Sequence, residues 1–298
     1  MLLALLLASV GAALLSGVAL SDAQTNTTDD FGEGTEGDDI VRTWAGDDSM
    51  LGGEGNDSLF MGEGDDFADG GAGSDIVVGG PGDDVLLGGA DSDLIHAGRD
   101  SDWVSGGAGD DTINGQDGAD TLFGDGDDDV IHGGIGNDKI YGGTGDDVMF
   151  GGGGDDLIEG GDGDDKLIDA YGTNTLHGGN GNDILRGAGT TSMFGDDGDD
   201  VFYIMRGAVA AGGAGADEFN VEVDWLNQPV GIADYDPAED AIVITVEQGT
   251  PISLTITETN DGWMVELNMV QILLVQGPAT FTAADLNIVE VPPEIPAV

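Results

Sequence analysis

The sequence predicts an all-β solenoid of short parallel strands, followed by a β-rich C-terminal region. Three observations predict it. A nine-residue unit repeats without a gap from Gly34 to Arg186, in seventeen copies. Glycine supplies 56 of the 298 residues and recurs at fixed places in the unit. Acidic residues outnumber basic ones 60 to 6, a formal charge of −54, yet 39% of residues are hydrophobic and alternate with the acids. A disordered acidic tail would lack that apolar fraction.

Gly52-Gly53-Glu54-Gly55-Asn56-Asp57-Ser58-Leu59-Phe60 is a clean copy. Glycines at positions 1, 2 and 4 permit backbone angles that a Cβ would forbid, so each unit contains a tight turn. Position 4 is Gly in fourteen copies and Asp91, Asp100 and Asp127 in the others. Positions 7 to 9 read as a strand with position 8 on one side and its neighbours on the other. Position 8 is apolar in all seventeen copies, from Val41 to Leu185. One such strand buries nothing alone, but stacked copies form a continuous apolar ladder. Two units make one coil of 18 residues, so the copies give about 8.5 coils, roughly 40 Å of stack at the strand spacing.

Position 6 is Asp in sixteen copies: Asp39, Asp48, Asp57, Asp66, Asp75, Asp84, Asp93, Asp102, Asp111, Asp120, Asp129, Asp138, Asp147, Asp156, Asp165 and Asp183. The seventeenth is Asn174. Stacking places these carboxylates about one strand spacing apart, with position-5 acids such as Asp65 and Asp83 nearby, and like charges at that distance repel strongly. A hard dication between the layers resolves the conflict. Carboxylate and carbonyl oxygens on a glycine loop suit calcium, which takes six to eight oxygens. Zinc and copper want the imidazole or sulfur that these loops lack. About fifteen dications would also bring the net charge into an ordinary range.

The unit resembles the RTX (repeats-in-toxin) nonapeptide G-G-x-G-x-D-x-U-x. The likeness is strict over residues 34–186 and looser through Gly187–Phe194, Gly195–Tyr203 and Gly212–Asn220. It implies a right-handed parallel β-roll that binds multiple calcium ions. It also implies a ligand set: carbonyls of positions 2 and 4 plus the Asp of one copy, with carbonyls of positions 1 and 3 plus the Asp of the copy 18 residues on. Here that means Gly53, Gly55 and Asp57 with Gly70, Ala72 and Asp75. Fifteen such pairings exist, and those through Asn174 lack one charge.

Residues 1–20 carry no charge; the first charged residue is Asp22. A secretory signal peptide cleaved after Ala23, a membrane anchor and an uncleaved leader all fit, although no Lys or Arg flanks the segment. Residues 21–33 read as a polar linker. The repeat region is assigned to 34–220 and a β-rich cap to 221–298, where seven of the eight prolines fall. Residues 241–246, 252–257 and 264–267 read as strands, and Asn260-Asp261-Gly262 as a hairpin turn. The stretch 232–242 and the ending 278–289 resemble the segments that follow RTX repeats. The resemblance also implies type I secretion through a C-terminal signal, and an extracellular or cell-surface location.

The same features exclude other classes. A chain this acidic repels phosphate, so no nucleic acid is expected as a partner. Without cysteine there is no disulfide framework and no thiolate zinc site. No H-E-x-x-H or G-x-S-x-G occurs. His96, His132 and His177 fall at outward position 9, and the four tryptophans are read as core or strand packing. Paired acids such as Asp110-Asp111 recur in most copies, which suits metal loops better than a catalytic dyad. The six basic residues are spread singly, so an epimerase or lyase built on the roll has no evident base. No long amphipathic region precedes the repeats, as a cytolytic toxin would need. Position 3 is Thr only at Thr144, so no ordered ice-binding array is expected. The reading is a non-enzymatic calcium-binding protein, with an adhesin or surface spacer on the same scaffold as the alternative.

Overall fold

The computed structural model describes residues 29–222, 229–247, 254–259, 262–267, 270–276 and 281–291. The apolar segment at 1–20 and Trp225 lie outside them. The chain forms two compact units, Met1–Gly152 and Gly153–Val298.

In the first unit two parallel sheets alternate along the chain. One holds Phe31–Glu33, Ser49–Glu54, Phe67–Ala72, Val85–Ala90, Trp103–Ala108, Thr121–Gly126 and Lys139–Thr144. The other holds Ile40–Arg42, Ser58–Phe60, Ile76–Pro81, Leu94–Arg99, Thr112–Asp117 and Val130–Ile135. Each residue pairs with the one 18 further on, as in Ile113↔Ile131 and Leu122↔Ile140. Position 8 forms the core: Leu59, Val77, Leu86, Ile95, Val104, Ile113, Leu122, Ile131 and Ile140 are fully buried.

Most strands are six residues long, not three, because the ladder continues from position 9 into positions 1 to 3 of the next copy. Position 1 thereby becomes a second inward-facing position, as the alternating burial along Ser49–Glu54 shows.

The second unit repeats this arrangement. Leu157–Asp162, Thr175–Asn180, Ser192–Asp197 and Val209–Ala214 follow one another in one sheet; Lys166–Asp169, Ile184–Gly187, Val201–Ile204 and Glu218–Glu222 do so in the other. The eight-residue copy Gly187–Phe194 shortens the spacing to 17, as in Leu176↔Met193, without moving position 8 off the core. The missing residue is taken from the turn, which Thr191 closes by donating from Oγ1 to the Ala188 carbonyl at 2.7 Å. Phe202 and Phe219 stack in the core at 5.0 Å.

The described strands after residue 222 extend both sheets. Val230–Ile232 pairs in parallel with the strand at Val209 and with Val270–Val275. Two antiparallel pairings then add Gly262–Leu267 and Leu254–Thr259, with Thr259 opposite Gly262; Asn260 and Asp261 of the expected turn lie outside the described residues. In the other sheet Ala241–Glu247 and Leu286–Val291 continue in parallel. Tyr235 packs edge-on against Phe281 at 5.8 Å.

Candidate metal centre

The turn glycines have two different reasons. At positions 2 and 4 the reason is backbone conformation: Gly53 has φ +115° and Gly55 +119°. Where Asp91, Asp100 and Asp127 replace glycine at position 4, they keep a left-handed φ of 71–74°, which Asp tolerates better than most residues. Position-1 glycines such as Gly52 do not have positive φ, so the expectation that position 1 is glycine for its backbone angles is corrected. Their reason is space. A Cβ on Gly52 would lie 2.4 Å from Asp57 Oδ2 and 2.3 Å from the Gly70 carbonyl oxygen.

That space is a cradle with oxygen from two layers, and it recurs. The corresponding distances are 2.4 and 2.6 Å at Gly70 (Asp75 Oδ2 and the Gly88 carbonyl) and 2.4 and 2.5 Å at Gly88 (Asp93 Oδ2 and the Gly106 carbonyl). In the second unit a Cβ on Gly160 would lie 2.2 Å from Asp165 Oδ2 and 2.3 Å from the Gly178 carbonyl oxygen.

The aspartates stack in two rows in the first unit, one for the turns before each sheet. Asp39, Asp57, Asp75, Asp93, Asp111, Asp129 and Asp147 form one; Asp48, Asp66, Asp84, Asp102, Asp120 and Asp138 form the other. All are at most 4% exposed. The two carboxylate oxygens do different things. Oδ1 accepts the backbone N–H of the Asp one coil earlier: Asp57 donates to Asp75 at 2.7 Å, and Asp102 to Asp120 at 2.9 Å. Oδ2 of Asp57, Asp75, Asp93, Asp111 and Asp129, and of Asp66, Asp84, Asp102 and Asp120, is buried with no hydrogen-bond donor. In the second unit Asp165, Asp183, Asp200 and Asp217 continue the Oδ1 ladder at 2.8–3.0 Å, and Oδ2 of Asp183 and Asp200 again has no donor.

A buried carboxylate oxygen without a donor is costly. Burial is the main reason the carboxyl pKa values rise: to about 7 for Asp84 and Asp93, and about 8 for Asp102 and Asp129, with neighbouring aspartates adding to the shift. A cation bound in the cradle would satisfy Oδ2. The donors are all hard oxygens, so the residues fit calcium. Among the described residues no three His, Asp or Glu side chains gather into a compact metal cluster. The cradle instead combines one carboxylate with a backbone carbonyl of the next coil.

Of the six ligands expected for one layer, Asp57 Oδ2 and the Gly70 carbonyl converge over Gly52. The Ala72 carbonyl accepts from Gly55 N–H at 2.8 Å, and Asp75 Oδ1 from Asp57 N–H at 2.7 Å. The Gly53 and Gly55 carbonyl oxygens lie where a Cβ on Gly71 or Gly73 would collide with them. Three things escaped sequence reading. Position-5 side chains form a second, exposed ladder running the other way: Asp65 accepts from Asp83 N–H at 3.0 Å and Asp83 from Ser101 at 2.8 Å. Asp200 and Asp217 extend the buried row past the strict repeat. Asp169, at position 1, is a buried acid whose pKa is raised by burial and by Asp156.

The histidines face outward. His132 stacks on Phe150 at 4.6 Å, and His177 on Phe194 at 4.6 Å while its Nδ1 lies 3.0 Å from Asp196. Trp103 packs on Phe123 at 5.4 Å from an outward strand position. Trp44 and Trp103 are 54% and 40% exposed, so neither belongs to the core.

A parallel β-solenoid whose turns stack buried carboxylates over carbonyls belongs to the class of cation-binding repeat proteins. The RTX calcium-binding nonapeptide repeat model matches residues 24–59, 62–95, 96–131, 123–158, 132–167, 159–190 and 170–202. The matches cover more than half of the chain, which therefore belongs to that family, and calcium is its ion. Among solved structures, a hyperactive, Ca2+-dependent, β-helical antifreeze protein from an Antarctic bacterium is 26% identical over 70% of this chain and 72% of its own, with a TM-score of 0.46. The extracellular lipase LipA from Serratia marcescens is 16% identical over 74% of this chain and 41% of its own, with a TM-score of 0.25. A search of curated proteins returned no match.

Proposed function

We propose that this is a secreted, non-enzymatic calcium-binding protein whose repeat region folds as calcium enters between stacked turns, with residues 221–298 closing the open end of the solenoid. The observation that carries the reading is the row of buried Oδ2 atoms without donors. Without a cation each is desolvated and faces other carboxylates; with one, the same oxygens hold adjacent layers together. In low calcium the acids keep the chain extended, which suits export; at roughly millimolar external calcium the cradles fill and the position-8 ladder closes. The layer ligands are Gly53, Gly55, Asp57, Gly70, Ala72 and Asp75, and their equivalents 18 residues apart. Circular dichroism with calcium and with chelator tests this. Near pH 8, at or above the raised carboxyl pKa values, strand signal should appear only with calcium; a spectrum there that is unchanged by chelator would refute it.

A further inference from the structure

Position 1 is an inward-facing position that opens onto the cradle, so the residue there decides whether a cation has room. In the Asp39 row of the first unit that residue is glycine in every copy from Gly34 to Gly124. In the Asp48 row the same place is held in turn by Thr43, Met61, Gly79, Ala97, Gly115 and Gly133. Met61 and Ala97 are fully buried and Thr43 is 6% exposed, so these side chains point inward. Thr43 shows what they do there. Its Oγ1 donates to the Met61 carbonyl, the counterpart of the Gly70 oxygen in an open cradle, and lies against the Asp48 carboxylate. A hydroxyl thus stands where an ion would bridge the layers. Buried at the same repeat position, the methyl group of Ala97 and the thioether of Met61 would take up that space without contributing a hard oxygen.

The second unit shows the contrast more sharply. One row keeps Gly160, Gly178, Gly195 and Gly212 beside Asp165, Asp183, Asp200 and Asp217. The other row loses its charge stepwise at position 6, from Asp156 to Asn174, Thr191 and Ala208, and Ile204 fills its last position 1. Thr191, Ile204 and Ala208 are all buried, so these turns close on side chains.

We infer that the two turn rows are not equivalent: the all-glycine row carries an unbroken series of calcium layers, and the other row is interrupted at Thr43, Met61 and Ala97, where side chains fill the cradle. The inference rests on the calcium reading above and predicts fewer ions than the fifteen pairings that the repeat count offers.

Crystals of the full chain grown in calcium, with anomalous difference maps at long wavelength, test it directly. Peaks are expected through the Asp39 row and none at the layers of Thr43, Met61 and Ala97. Peaks at Met61 or Ala97 would overturn the inference while leaving calcium binding intact. An absence of calcium from both rows would overturn the calcium reading itself. Equilibrium dialysis of Ala97→Gly supplies a second measurement: opening one cradle should raise the calcium bound per chain by about one, and Gly106→Ala should lower it by about one. An unchanged count for Ala97→Gly would overturn the inference.

Discussion

Each position-6 aspartate has two separable jobs, because its oxygens have different partners. Asp111 Oδ1 accepts from Asp93 N–H at 2.7 Å, while Oδ2 faces the cradle over Gly106. Asn174 performs the first job without the charge, accepting from Asp156 N–H at 3.0 Å. Asp111→Asn should therefore lower the calcium stoichiometry and keep the ladder. Asp111→Ala should lose both, and leave a buried N–H unsatisfied at a further cost of about 1–3 kcal/mol. Calcium titration paired with denaturant unfolding checks this; equal stability of the two variants would contradict the assignment of Oδ1. The aspartates were legible in the sequence from their period alone. The reason for glycine at position 1 was not, since the same letter serves a positive φ at Gly53 and a close approach at Gly52.

At the scale of the strand, the apolar ladder was legible because one residue in nine is apolar without exception through seventeen copies. The strand length was not, because positions 1 to 3 are rich in glycine and read as turn, yet pair as sheet. Parallel pairings across long stretches of chain, such as Val230↔Leu273, also leave no local mark in a sequence. Phe202 stacks on Phe219, and both are fully buried, among the largest core side chains of the described residues. Phe202→Ala should destabilise the calcium-bound protein by about 3–5 kcal/mol, read from thermal unfolding at fixed calcium.

For the molecule as a whole, a charge of −54 makes stability depend on what neutralises it. Burial raises the carboxyl pKa values from 3.8 to about 6 for Asp66 and Asp75, about 7 for Asp183 and Asp200, and about 8 for Asp102 and Asp129. Groups raised in the fold favour it most below their unfolded pKa, and that contribution is lost as pH rises through the folded value. In chelator, strand content should thus be greatest near pH 4 and fall between about pH 6 and 8. Calcium reverses the sign, because it binds the deprotonated form: its apparent affinity should rise across the same interval. Circular dichroism and calcium titration at several pH values measure both trends, and a pH-independent affinity would contradict them.

The seventeen-residue spacing around Gly187–Phe194 carries a wider lesson about tolerance. One residue is missing there, yet every strand on either side still finds its partner and every apolar side chain its neighbour. In a compact domain threaded by crossing loops, such a loss would propagate. In this architecture a slip is absorbed at the bend where it occurs, here a bend that Thr191 ties with a hydroxyl, so the chain can change its length locally without rewriting its interior.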